Sequence, residues 1–200
     1  GETICSWMTG SQGTAVILDQ EKVTAFVAGL AGKYDTAGTA RTFHTAGGRD
    51  VEITGPYGWK LDVAGEVAAL TQLIQAGLGE GEQDREPVYA ATAASRSLPD
   101  WGNTYVEIDL TGQHVYMFQE GNLVWEAPCV TGNIAKNYNT PAGIYSLTYK
   151  EMDRILRGAK KADGTYEYES HVDYWMPFNG GIGLHDASWR SKFGGTIYQY

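Results

Sequence analysis

Between Thr104 and Trp125 the chain alternates apolar and polar residues with a turn signal about every ten positions. Val106, Ile108 and Leu110 alternate with Glu107 and Asp109. Thr111-Gly112-Gln113 turns the chain, Val115–Phe118 returns, and Glu120-Gly121-Asn122 turns it again into Leu123–Trp125. A strand exposes successive side chains to opposite faces, so this spacing predicts an antiparallel meander of the kind found in sandwiches and barrels. Glycine at 26 of 200 residues and 13 tyrosines fit turn-rich, partly β structure. Pro128–Gly132 and Thr140–Gly143 follow the meander, and Ile144–Tyr149 reads as a further strand. Residues 150–170 break the rhythm with Lys150, Arg154, Arg157, Lys160 and Lys161 among acids and tyrosines, and read as an inserted loop or lid.

The first part of the chain has a different period. Residues 13–18 read as a short strand, and Asp19 stands as the N-cap of a helix with Val23, Phe26, Val27, Leu30 and Tyr34 on one stripe. Arg41–Thr45 and Arg49–Thr54 form a hairpin around Ala46-Gly47-Gly48, and Tyr57–Leu61 is extended. Asp62 caps a second helix lined by Val63, Val67, Leu70, Leu73 and Ile74, which Gly77 ends. Residues 79–103 are charged and turn-rich, then small and featureless. The expected division is an α+β domain over 1–90, a linker over 91–103 and a mainly-β domain over 104–200.

The chain carries 15 Lys and Arg against 24 Asp and Glu, a net charge of −9. That balance counts against a nucleic-acid binder, which needs a basic face to neutralise phosphates, and equally against a helix seeking anionic lipid. No apolar run approaches the about 18 residues of a membrane span. An anchor or export signal is therefore expected outside the chain, which opens at Gly1 in mid-pattern. Two cysteines, Cys5 and Cys129, make neither a disulfide framework nor a Cys-x-x-Cys metal pair. The four histidines lack zinc spacing, and no Gly-x-Ser-x-Gly elbow or phosphate loop occurs. Neither a metal nor a cofactor is expected. His185 is the candidate that remains, because Gly180-Gly181-Ile182-Gly183-Leu184 lets backbone or ligand approach it closely. A purely structural histidine tied to Asp186 or a carbonyl is the competing reading.

Tyr105–Leu110 with its Gln113 turn, Val130-Thr131-Gly132, Thr140-Pro141-Ala142-Gly143 and Ile182–Arg190 running on to Phe193-Gly194-Gly195 occur in the order of the L,D-transpeptidase catalytic domain, the YkuD type. Residues 104–200 resemble the first two thirds of that domain. Residues 1–90 resemble the peptidoglycan-binding domain that precedes it in Gram-positive cell-wall proteins, through Tyr34-Asp35-Thr36, Arg41-Thr42-Phe43, Tyr57-Gly58-Trp59 and Arg85–Tyr89.

The resemblance implies a cysteine acyl transferase that joins peptidoglycan stem peptides through a thioester, outside the cell, in the wall or anchored to the membrane's outer face. Such chemistry needs a thiolate, a histidine base and backbone N–H donors for the oxyanion. In the family these come from a Ser-His-Gly-Cys element beyond the histidine that His185 matches. Residues 1–200 do not contain that element, and Cys5 and Cys129 are expected to be structural. His185 is therefore expected to line the pocket, with Gly183, Asp186 and Trp189 contacting substrate on the same wall. The expected partner is the stem peptide, without metal or nucleic acid, and the 200 residues alone are expected not to turn over. The alternative is a non-catalytic peptidoglycan-binding or scaffolding protein.

Overall fold

A computed structural model describes residues 2–12, 15–77 and 84–199. Gly13 and Thr14 of the expected first strand, the Gly79–Gln83 part of the expected connector and the side chain of Cys5 lie outside the described residues. The chain forms two compact units, one of residues 1–39 and 56–102, the other of residues 40–55 and 103–200.

In the first unit the elements are α1 (Glu2–Trp7), the hairpin of β1 (Met8–Gln12) and β2 (Ala15–Leu18), α2 (Gln20–Tyr34), β5 (Lys60–Leu61), α3 (Val63–Gln75) and β6 (Tyr89–Ala91). The second unit contributes β3 and β4 between α2 and β5. Both long helices begin where an aspartate supplies the missing acceptor. Asp19 accepts from the N–H groups of Glu21 and Lys22, and Asp62 accepts from Gly65. Val23 and Val27 of α2 are fully buried, and Trp7, Leu18, Val23 and Ile74 form the core with Ile4, Val16 and Val67 packed against it. Fully burying a side chain such as valine contributes roughly 1.5–3 kcal/mol. Phe26 and Tyr34 of the expected stripe remain largely exposed, with Phe26 held 5.0 Å from the Trp7 ring.

The stretch expected as a linker is built into this unit. β6 pairs antiparallel with β5, and Trp59 Nε1 donates to the Ser95 carbonyl at 2.7 Å. The Arg96 guanidinium lies 4.2 Å over the Trp59 ring, and buried Asp100 accepts from Thr36. These contacts span 28 to 64 positions, so no local composition announces them.

The second unit is mainly β. It contains the hairpin of β3 (Arg41–His44) and β4 (Asp50–Ile53), the meander β7 (Tyr105–Asp109), β8 (His114–Gln119) and β9 (Asn122–Pro128), and the sheet β10 (Glu151–Arg157), β11 (Glu169–Asn179) and β12 (Ile182–His185). The two three-stranded sheets are antiparallel and sandwich-like; neither closes into a barrel. The β3–β4 hairpin joins this unit through Glu107, whose carboxylate accepts from Ala46 N–H at 2.9 and 3.2 Å. Burial pushes that carboxyl above its ordinary value, and the Ala46 N–H pulls the other way without cancelling it.

Two expectations for this unit are corrected. Residues 150–170 are not an inserted loop: β10 and β11 keep one register from Glu151↔Trp175 to Arg157↔Glu169, with irregular backbone at Asp153 and at the hairpin tip. Ile144–Tyr149 is not a strand. Its backbone is held at single points, Ile144 N–H to the Thr54 carbonyl and Thr148 N–H to the Pro177 carbonyl, rather than by a ladder.

Candidate functional site

The Gly180-Gly181 turn sets the geometry around His185. Gly180 takes a φ of 55°, a conformation in which only glycine is unstrained, and the chain reverses from β11 into β12. The returning register places Gly183 opposite Pro177 and His185 opposite Trp175. Gly183 is a glycine because of that packing. A Cβ there would lie 2.8 Å from the Met176 carbonyl oxygen and from Pro177 Cα, and 2.9 Å from the Trp175 ring. Gly183→Ala is expected to push β12 off β11, cost about 1–3 kcal/mol, and shift the His185 ring resonances in an NMR spectrum.

His185 is exposed at the end of β12, with an indole on either side. The Trp175 ring centre is 5.9 Å away at 41°, and the Trp189 ring centre is 5.9 Å away at 28°. Trp175 is buried and half-exposed Trp189 is not, so the imidazole sits between a fixed wall and a solvent-facing one. Nδ1 lies 2.7 Å from the Asp186 carbonyl oxygen. A carbonyl only accepts, so Nδ1 donates, and a neutral ring then presents Nε2 as an acceptor. The Trp175 indole N–H points to the Tyr149 hydroxyl at 3.3 Å, which fixes the buried wall in turn.

Asp186 is turned elsewhere: its Oδ1 accepts from Tyr174 N–H at 2.8 Å. Partial burial raises its carboxyl, but the N–H groups of Tyr174, Asp173 and Asp186 itself, with the nearby His185, hold it below the usual carboxylate range. The structure thus brings His185 and Trp189 into ring contact and sets Gly183 against Pro177 and the Trp175 ring, whereas the Asp186 side chain ties β11 to the loop after β12.

That loop is stitched to the segment after β9. Gly194 N–H donates to the Cys129 carbonyl at 2.8 Å, and Ile134 N–H donates to the Tyr198 carbonyl at 2.9 Å. Gln113, 1% exposed, holds the same segment from the other side. Its Nε2 donates to the Leu110 carbonyl (2.7 Å) and to Thr131 Oγ1 (2.8 Å), its Oε1 accepts from Thr131 N–H (2.9 Å), and its own carbonyl accepts from Cys129 N–H (2.8 Å). Thr140 Oγ1 accepts from Gly132 N–H at 3.1 Å, a turn-holding role.

Cys129 is a free thiol, half-buried. Burial, with Asp109 nearby, pushes it up to about 11. The thiolate is the reactive form, so at pH 7 alkylation of Cys129 should run about two orders of magnitude slower than that of an ordinary cysteine. Peptide-resolved mass spectrometry after iodoacetamide treatment checks this, and labelling at the ordinary rate in the folded protein would contradict it.

The other histidines lie elsewhere. His44 pairs with Asp50 at 2.7 Å on the exposed hairpin, and His114 faces Glu126 at 3.2 Å. His171 meets Asp153 at 2.6 Å on β11. In the basic stretch Arg154 pairs with Glu151 and Arg157 with Glu169, so much of it is a neutralised, solvated face. Among the described residues no group of three or more His, Cys, Asp or Glu is placed to hold a metal ion. Sequence reasoning missed Trp175, whose place opposite His185 depends on the register, and understated Gln113, whose partner Thr131 lies 18 positions away.

Residues 103–199 match the family model described as the L,D-transpeptidase catalytic domain, and residues 3–82 match the one described as "Putative peptidoglycan binding domain". No curated protein matches significantly. Among solved structures, that of the Ldtfm–avibactam carbamoyl enzyme is 33% identical with a TM-score of 0.76, over 99% of this chain and 75% of that one. The crystal structure of a Cys-to-Ser mutant of Enterococcus faecium L,D-transpeptidase is 33% identical with a TM-score of 0.75, over 99% of this chain and 76% of that one. With that identity along nearly its whole length, and both domain types in the same order, the chain belongs to the L,D-transpeptidase family.

Proposed function

We propose that the protein acts in cell-wall biogenesis outside a Gram-positive cell, as a peptidoglycan L,D-transpeptidase whose residues 1–90 bind the wall and whose residues 104–200 belong to the catalytic domain. The observation that carries this reading is the 33% identity over 99% of the chain to a transpeptidase trapped as a carbamoyl enzyme.

In the proposed reaction a cysteine thiolate attacks the carbonyl of the third residue of a stem tetrapeptide. The C–N bond to the terminal D-Ala breaks, D-Ala leaves with a proton as the free amine, and a thioester remains. An amine of a neighbouring stem then attacks that carbonyl, the C–S bond breaks, and the thiolate is restored as the amine loses its proton. His185 contributes an Nε2 acceptor and an imidazole face held between two indoles, which suits it to contact and orient the stem peptide. Trp189 adds the solvent-facing wall, and Gly183 keeps β12 close enough to β11 to hold His185 there. We assign Asp186 to the same wall through its backbone, since its carbonyl fixes the histidine.

The nucleophile is neither Cys129, whose thiol is held protonated, nor part of any Ser-His-Gly-Cys within residues 1–200. The 200 residues alone are therefore expected to release no D-Ala and to take up no carbapenem. A form of the protein that carries the Ser-His-Gly-Cys element should gain the mass of one carbapenem molecule.

The second reading is a non-catalytic peptidoglycan-binding or scaffolding protein, and its support is the match of residues 3–82 to the model described as "Putative peptidoglycan binding domain". Intact mass spectrometry with a carbapenem separates the two: an adduct supports the transferase, and no adduct in any form supports the binder. No helix among the described residues is long and apolar enough to cross a membrane, and an anchor elsewhere is part of this proposal.

A further inference from the structure

The β10–β11 hairpin contains a conflict that the transpeptidase reading does not use. Asp153, in the middle of β10, has a φ of 57°, in the left-handed region that side chains rarely adopt within a strand. It lies between Met152, opposite Tyr174, and Arg154, opposite Val172, so it faces Asp173 across the hairpin. Two carboxylates that face each other across a ladder repel.

His171 resolves the conflict. Its Nε2 is 2.6 Å from Asp153 Oδ1, and its Nδ1 is 4.0 Å from Asp173 Oδ1. One imidazole thus has a carboxylate at each nitrogen, one from each strand. Only the imidazolium carries an N–H on both nitrogens and a charge to offset both acids. The other groups around it leave it that role. Ile155, directly opposite, is apolar, and the Arg157–Glu169 pair toward the tip is engaged with itself at 2.7 Å. Arg154 is engaged with Glu151. Asp186, after β12, adds a further negative field.

We propose that His171 is a pH-sensitive clamp on this hairpin: as imidazolium it ties Asp153 to Asp173, and as neutral imidazole, with one N–H and no charge, it holds at most one of them and loosens the strand that carries Trp175 beside His185. The hydrogen bond to Asp153 raises the pKa of His171 above its ordinary value; the small desolvation cost opposes this, and the charges of Asp153, Asp173 and Asp186 reinforce it. A group whose folded value is raised contributes stability that is complete below its ordinary value and lost as pH rises through the folded one. The clamp is therefore closed below the raised histidine value and opens as pH rises through it. This inference does not depend on the transpeptidase reading.

The test is NMR on the intact chain. The His171 Cε1–H shift gives its titration midpoint. Amide hydrogen exchange in Glu151–Arg157 and Glu169–Trp175, corrected for intrinsic pH dependence, gives the hairpin's protection on either side of that midpoint. A midpoint above the ordinary histidine value is expected, with protection falling about two- to fivefold across it. Asp153→Asn, which tolerates the left-handed backbone, should lower the midpoint and flatten the step, and His171→Gln should abolish the step. A midpoint at or below the ordinary value, or equal protection on both sides, would overturn the proposal. The wild-type measurement decides alone if either variant fails to fold.

Discussion

Replacing Gln113 by Leu should lower the stability of the second unit by about 3–5 kcal/mol, a large share of the total for a marginally stable domain. The side chain is 1% exposed and makes three hydrogen bonds, to the Leu110 carbonyl, to Thr131 Oγ1 and from Thr131 N–H. Leucine fills the space but leaves the half-buried Thr131 N–H and Leu110 carbonyl without the amide, and each such group costs about 1–3 kcal/mol when it is left unpaired. The residue also sits at a φ of 53°, so its backbone strain must be separated from its side-chain bonds. Gln113→Gly does this. Glycine accepts that conformation freely, so a loss that persists in the glycine variant belongs to the missing amide. Hydrogen exchange over residues 105–131 during urea unfolding is the measurement. Near-wild-type protection in both variants would show that the amide carries no such load.

Gly132→Ala should be as damaging, from the opposite side of the same segment. A Cβ there would lie 1.7 Å from the Tyr138 carbonyl oxygen and 2.9 Å from its carbon. Both are backbone atoms, so no rotamer change relieves the clash. The 129–133 segment must move away from 138–140, breaking the bonds from Gly132 N–H to Thr140 Oγ1 and from Tyr138 N–H to the Asn133 carbonyl. A loss of about 3 kcal/mol or more is expected, above the usual range for a single added methyl, because backbone has to shift. Cys129 and Ile134 anchor the loop that follows His185, so the Trp189 resonances should move as well. A stable Gly132→Ala variant with an unchanged Trp189 environment would show that the loop is held some other way.

Much of this fold was legible because its determinants are local. Asp19 and Asp62 announced their helices, since a cap and a 3.6-residue stripe fall within a few positions of each other. Ala46-Gly47-Gly48 and Glu120-Gly121-Asn122 announced their hairpins for the same reason. The β10–β11 hairpin was hidden. Met152 and Ile155 are 68% and 46% exposed, so neither face of β10 is cleanly apolar, and Asp153 breaks the extended backbone. The partnership of residues 40–55 with the second unit was hidden too, because it rests on Glu107 and Ala46, 61 positions apart. In the site, the glycine run pointed to His185, but the two indoles around it depend on where β11 turns. The shift between Pro177 and Asn179 sets that register, and no spacing in the sequence displays it.

On the proposed function, His185 and its neighbours receive the stem peptide. The decisive measurement is an NMR titration of isotope-labelled protein with a stem tetrapeptide. Saturable changes concentrated at Gly183, His185, Asp186 and Trp189 are expected, and their loss in His185→Ala with the remaining spectrum intact. Saturable changes confined to residues 1–90, or none at His185 at any tetrapeptide concentration, would contradict it.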